Sequence, residues 1–314
     1  MPEVSVIIPN YNHAPYLNQR IDSVLKQGFQ NFELIILDDC STDDSRAVIE
    51  GYRQHPKVAH IVYNETNSGN TFRQWEKGLL LCTANLVWIA ESDDAMDSSF
   101  LEKAVAVFKK DDATGIFQCG SQWINEQGNI MENGIAPTGT GYINGSEFIL
   151  TQMQNGNGIY NASAVLFNKK FLQLPLQAAI KELSWCGDWL FWIKILEHSN
   201  LFILNENLNS FRRHSQNVSG KATEQGLFFL EGIKVYGYIK KQYPAHFKFI
   251  NNYDKTWAYR FMAKGYPLKT VKAFVVNSLK AGLLIPVYVA WFKIKMLFGI
   301  LGNRENENYL EGLK

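Results

Sequence analysis

Cysteine is scarce and unpaired in this chain. The 314 residues hold four, Cys40, Cys82, Cys119 and Cys186, with no Cys-x-x-Cys pair. That speaks against a disulfide framework and for reduced thiols in a cytosolic protein. Excess charge is missing too. With 31 Lys and Arg against 30 Asp and Glu, the net charge is +1, which removes any global electrostatic reason to expect nucleic acid as a partner. No secretory signal is expected, because Glu3 follows Met1 and Pro2 and the apolar run from Val4 to Ile8 is too short for a signal core. There is no internal repeat and no low-complexity tract. What is present, 46% hydrophobic residues, suffices for a sizeable core in one large domain or two modest ones.

The first hundred residues alternate between two patterns. "VSVIIP", "FELIILDD", "VAHIVY" and "NLVWIA" are short apolar, β-branched runs of the kind that form strands buried on both faces. Between them, "APYLNQRIDSVLKQ" spaces Leu17, Ile21, Val24 and Leu25 as a helix face. "STDDSRAVIEGY" offers Ser41 or Thr42 as a cap with Asp43 and Asp44 in the first turn, and "NTFRQWEKGLLLC" reads as a third helix. This alternation predicts a mostly parallel sheet flanked by helices. Ligands of such sheets bind beyond the carboxyl ends of the strands, and those ends carry "PNYN", "LDDCS" and "ESDD". Further on, "LEKAVAVFKK" and "GDWLFWIKILEH" read as helices. "TGIFQCGSQWINEQGNIMENG" reads as strands around an Asn-Glu-Gln-Gly turn, residues 133 to 158 as loops flanking a short helix, and "ASAVLFN" and the start of "LNSFRRHSQNVS" as strands. Residues 221 to 314 read as largely helical.

The ordered set "PNYN", "LDDCSTDDS" and "ESDD" closely resembles family 2 glycosyltransferases, inverting enzymes of GT-A fold, over roughly residues 3 to 220. The resemblance implies an α/β, Rossmann-like sheet in a glycosyltransferase domain at 1–220, with a nucleotide-binding half at 1–98 and an acceptor half at 99–220. A helical C-terminal extension follows at 221–314. It implies a nucleoside-diphosphate sugar, UDP-linked, as donor, and a glycan or lipid-linked acceptor in surface polysaccharide or glycoconjugate assembly. Pro9 and Tyr11 would shape and stack on the base, or simply shape the turn. Asp39 would read a base N–H, or cap a helix. Arg73 would approach the base or diphosphate, or lie on a solvated helix face. In the acid cluster, Asp94 would hold Mg²⁺ or Mn²⁺ on the diphosphate and Asp93 would meet the ribose. Glu91, standing where the family has Asp, would be support. Carboxylates suit such hard cations, which offset charge on a departing diphosphate. Asp188, opening a helix in "GDWLFW", would be the general base toward the acceptor hydroxyl, against a plain helix-start acid. Arg212, Arg213 and His214 would fold over the diphosphate. Strand alternation turns only one of the arginines inward; Arg213 is taken as the donor contact, and His214 is taken as joining the metal.

Two other classes stay in view. A nucleotidyltransferase would favour a Gly-rich phosphate loop with a basic residue after the first strand, and "PNYNHAPY" has neither. A non-catalytic sugar-nucleotide-binding or receiver-like domain accounts for strand-end acids, but gives no reason for Asp188 or for the long second half. At the other end, "LLIPVYVAWFKIKMLFGIL" (283–301) is short for a membrane span and carries Pro286, Lys293 and Lys295. It is read as an interfacial helix on the inner membrane face, as a helix packed on protein or in a homodimer, or as a span.

Overall fold

A computed structural model describes residues 1–135, 137–214, 226–247 and 252–297. The chain divides into two compact units, one within Met1–Met153 and Asn157–Asn217, the other within Gln154–Gly156 and Val218–Lys314.

The first unit is built on a ten-stranded sheet. In chain order it runs β1 (Val4–Asn10), α1 (Ala14–Leu25), β2 (Phe32–Asp38), α2 (Ser45–Glu50), β3 (Val58–Tyr63), α3 (Thr71–Leu81), β4 (Leu86–Ile89), β5 (Ala95–Met96) and α4 (Phe100–Phe108). It continues through β6 (Thr114–Ile124), β7 (Ile130–Ile135), β8 (Gly141–Asn144), α5 (Gly145–Gln152), β9 (Val165–Asn168), α6 (Ala178–Lys181), α7 (Gly187–Leu196) and β10 (Asn200–Arg212). The strand order is β3-β2-β1-β4-β9-β6-β10-β5, with β7 beside β6 and β8 beside β10. The chain winds outward from β1 through β2 to β3, then crosses to β4 on the other side of β1, all four in parallel. Doubly wound sheets form their ligand crevice at such a reversal, here beyond the carboxyl ends of β1 and β4. The later strands β9, β7, β8 and β5 pair antiparallel, so the second half of the sheet is mixed, where the strand–helix alternation of the sequence also loosens.

Every residue of β1 and β2 is buried, as expected for apolar runs enclosed on both faces. Each such Val, Ile or Leu contributes about 1.5–3 kcal/mol over an exposed side chain. α1 carries Pro in its first turn and buries Leu17, Ile21 and Val24. It also buries Arg20, which the apolar spacing does not anticipate. α2 begins at Ser45, later than the cap residues suggest. Ser41 and Thr42 are occupied elsewhere: Ser41 Oγ donates to Asp38, and the Thr42 N–H donates to Asn12 Oδ1. α3 is capped by Asn70, whose side chain accepts from the Phe72 N–H while its amide donates to the Lys181 and Leu183 carbonyls.

The second unit contains α8 (Leu227–Gln242), α9 (Pro244–Phe247), α10 (Asn252–Met262), α11 (Leu268–Lys280) and α12 (Ile285–Leu297). Its core gathers Phe229, Ile233, Trp257, Phe261, Phe274, Ile285 and Phe292. A buried carboxylate ties three helices together. Asp254 on α10 accepts from Tyr236 Oη and Lys240 Nζ of α8 and from the Leu284 N–H just before α12. Among the described residues no helix is long and apolar enough to cross a membrane. Of the stretch 283–301, residues 298–301 lie outside the described residues, as does the boundary expected near residue 220.

Candidate active site

The crevice at the ends of β1 and β4 collects most of the expected residues. Its first wall is the turn after β1, where Pro9 is buried at the end of the strand and Tyr11 is exposed. Asn12 takes a left-handed backbone (φ 55), as does Cys40 after β2 (φ 62). Two non-glycine residues in that region, both beside one crevice, mark conformations that the surrounding contacts must hold.

Asp39 is a buried hub. Its Oδ1 accepts from Asn64 Nδ2 (2.6 Å), the Ser68 N–H (2.9 Å) and Gln74 Nε2 (2.9 Å), and its Oδ2 accepts from Ser68 Oγ (2.7 Å). Three donors crowd Oδ1 and one reaches Oδ2, so Oδ2 keeps capacity for a further donor. Gln74, which the sequence reading passes over, lies 4% exposed, and its Oε1 is buried without a hydrogen-bond partner. Asp38 is turned to local work, accepting from Asn10 Nδ2 and from the N–H and Oγ of Ser41. Arg73 is exposed on the first turn of α3.

The three acids after β4 have three different surroundings. Glu91 accepts from Trp75 Nε1 at 3.1 Å. Burial, with the neighbouring charge of Asp93 adding to it, pushes its carboxyl up to about 8. Asp94 is fully buried. Its Oδ1 accepts from the Arg212 N–H (2.9 Å), its Oδ2 accepts from Asn161 Nδ2 (2.9 Å), and Arg20 Nη2 lies 3.8 Å away. Burial and then the charge of Asp93 push Asp94 up to about 6. Asp93 shifts the other way. Burial works to raise it, but the hydrogen bond from His214 and the nearby charges of His13 and His214 hold it below the usual carboxylate range. His214 Nε2 lies 3.0 Å from Asp93 Oδ2. Among the described residues, His13, Asp93 and His214 form a group whose ligand atoms lie within 4.8 Å of one another. The rings of His13 and His214 meet edge-on at 5.5 Å, and His13 Nδ1 lies 2.8 Å from Ser92 Oγ.

Of the two arginines at the end of β10, Arg212 turns inward. It is 1% exposed, and its guanidinium donates to the carbonyls of Asp93, Asn125 and Glu126. Arg213 is exposed and lies over the Trp123 ring at 4.8 Å. Sequence reasoning missed His13 entirely. The available signal was a ring nitrogen three residues past the buried strand β1, immediately before the first residue of α1.

Asp188 sits half-buried in the first turn of α7. Its Oδ2 accepts from Asn157 Nδ2 (2.9 Å), and its Oδ1 accepts from the Trp189 N–H. A Cβ on the preceding residue, Gly187, would stand 2.3 Å from the Phe72 ring, so a side chain there would collide with α3. α3 therefore links the acid turn after β4 to the start of α7. Trp75 bonds to Glu91 and packs edge-on against Phe191 of α7 at 5.3 Å.

Comparison with known proteins agrees with this architecture. The TuaG protein of Bacillus subtilis (strain 168), whose name ties it to teichuronic acid biosynthesis, is 39% identical over 102 residues, 32% of this chain and 40% of TuaG. The chain thus matches about two fifths of that relative's length. Glycosyltransferase GlyG of Streptococcus pneumoniae serotype 4 is 23% identical over 229 residues, 68% of this chain and 72% of GlyG. The crystal structure of S. aureus TarS 1–349 in complex with UDP-GlcNAc superposes with a TM-score of 0.63 at 17% identity, covering 90% of this chain and 80% of that one. The shared fold is GT-A, as expected. The model of Glycosyl transferase family 2 matches residues 5–172, more than half of the chain, and the protein belongs to that family.

Proposed function

We propose that this protein transfers a sugar, with inversion, from a UDP-sugar to an acceptor hydroxyl in cell-surface polysaccharide assembly. The observation that carries the reading is the His13–Asp93–His214 group at the strand-order reversal, on the same strand-end rim as Asp39. Two imidazoles and a carboxylate suit Mn²⁺ better than Mg²⁺, which prefers an all-oxygen shell. Bound there, the divalent ion supplies countercharge to a departing diphosphate. The metal role that the sequence suggested for Asp94 passes to Asp93 in this reading, with His214 as its companion and His13 as the third donor. Asp94, enclosed by Arg20, Asn161 and the Arg212 N–H, serves as the anchor that fixes the turn carrying Asp93.

Tyr11, exposed at the rim, stacks on the base. Pro9 shapes the turn that presents it. Asp39 Oδ2 accepts a base N–H, and the open Oε1 of Gln74 offers a second acceptor nearby. The UDP-GlcNAc complex of TarS, a protein of the same fold, supports uracil as that base. Arg73 and Arg213, both exposed, are the candidate phosphate contacts. Asp188 takes the proton of the attacking hydroxyl. Its bonds to Asn157 and to the Trp189 N–H help fix the aim of the half-buried carboxylate.

Titration calorimetry of a nucleotide-sugar panel with Mn²⁺ tests the reading. UDP-sugars should bind in a metal-dependent way, and wild type should slowly hydrolyse the bound sugar while Asp93→Asn does not. Metal-independent binding, or no preference among nucleotides, would sink it.

A further inference from the structure

Among the described residues, the last two helices carry a surface that the transferase chemistry does not use. α12 is apolar on both sides. Its inner side buries Ile285, Val289 and Phe292, together with Leu283 just before it. Its outer side leaves Val287 63%, Trp291 38% and Ile294 52% exposed, with Leu284 at 53% beside its first turn. The spacing 284, 287, 291, 294 puts these four on one stripe of the helix. α11 repeats the arrangement. Leu268, Val276 and Leu279 are 61%, 47% and 62% exposed, and their spacing sets them on one side with Lys272 between them.

The charges that α11, α12 and the stretch leading into them carry have one sign. From residue 255 to 297 the chain carries Lys255, Arg260, Lys264, Lys269, Lys272, Lys280, Lys293 and Lys295, and no Asp or Glu. Lys264, Lys269, Lys272, Lys280 and Lys293 are exposed, and Lys255 lies 5.4 Å over the Trp291 ring. Since the chain's charges nearly balance in total, this is a segregated basic region. A stripe of aliphatic residues and a tryptophan, set among lysines, matches the requirements of a helix lying in the headgroup layer. The apolar side chains leave water, the indole sits at the boundary, and the ammonium groups meet lipid phosphates. A protein partner would need to supply acids to most of these lysines at once, whereas an anionic bilayer does so anywhere on its surface.

We infer that α11 and α12 form an interfacial docking surface for an anionic lipid bilayer, with Leu284, Val287, Trp291 and Ile294 as the inserted stripe. The inference stands apart from the proposed transfer reaction and is tested without it. Full-length protein is floated with vesicles of phosphatidylcholine alone and of phosphatidylcholine with phosphatidylglycerol. It should rise with the second kind only, and high salt should release it. Val287→Asp with Ile294→Asp, both at exposed positions, should abolish flotation with the circular dichroism spectrum unchanged. Lys269→Gln, Lys272→Gln and Lys280→Gln together should weaken binding roughly a hundredfold, since each lysine near such a surface contributes about fivefold. Equal binding to both vesicles, or none, would overturn the proposal. So would a wild-type dimer that Val287→Asp with Ile294→Asp turns into monomer without any flotation, which would assign the stripe to a second copy of the chain.

Discussion

The rim of β1 and β4 and the pair α11–α12 handle charge in opposite ways. At the rim three acids crowd into four positions, and each is given its own protein partner: Trp75 for Glu91, the histidines for Asp93, and Arg20 with Asn161 and the Arg212 backbone for Asp94. In α11–α12 the acids are gone and four exposed lysines face water. Crowded charge that is answered inside the fold makes a rigid, electrically tuned site. Charge of one sign left on the outside leaves its countercharge to come from elsewhere. The same composition, nearly neutral overall, is thus divided between an internal task and an external one.

The comparison can be broken most sharply at the rim. Asp188→Asn should lower sugar transfer by roughly 10²- to 10⁴-fold, the usual size of a general-base effect, with the melting curve unchanged. A mutant that transferred at the wild-type rate would remove Asp188 from the reaction. The next test separates two neighbours. Asp94→Ala leaves the fully buried Arg20 without its carboxylate and should cost about 3–5 kcal/mol of stability in denaturant titration. Asp93→Asn should unfold near the wild-type midpoint yet lose Mn²⁺ binding in calorimetry. The reverse pattern would return the metal to Asp94.

The smallest expected effect lies away from the rim, at a partnered acid used only for stability. Glu33 Oε1 accepts from Ser5 Oγ and from the N–H and Oγ1 of Thr83. Burial works to raise its carboxyl, but these bonds outweigh it and hold it below its ordinary 4.5. Its stabilisation is therefore present above about pH 4.5 and is lost as pH falls through the lower, folded value. Glu33→Gln should cost about 1 kcal/mol at neutral pH, and the gap between mutant and wild type should close on acidification. A gap that stayed constant down to acid pH would mean that the shape of the side chain, not its charge, matters.

Much of the first unit was legible because its signals are local. β1, β2 and β4 are uninterrupted apolar runs, α1 and α3 show helical spacing, and the chemistry sits at strand ends that topology brings together. What was not legible depends on partners distant in the chain. Which of two adjacent acids turns inward is decided by Arg20 and Arg212, which no local pattern links to residue 94. Arg20 lies off the apolar spacing of α1, and its burial follows only from the closure of α1 over the turn after β4. The choice between Arg212 and Arg213 has the same origin, since alternation says that one points inward but the register of β10 against β6 decides which. The later start of α2 reflects competition: Ser41 and Thr42 bond across to Asp38 and Asn12 instead of capping. The short strands β5 and β8 exist because β10 offers them an edge, and four residues or fewer carry too little pattern to announce that.

The left-handed residue after Asp39 has a practical consequence. Cys40 is half-exposed, whereas Cys82, Cys119 and Cys186 are buried, and burial pushes the thiols of Cys82 and Cys119 up to about 12. A maleimide at neutral pH should therefore select Cys40 and place a dye one residue from the carboxylate proposed to read the base. Nucleotide occupancy would then be followed as a labelling rate or a fluorescence change in the native sequence, with no residue of the crevice replaced.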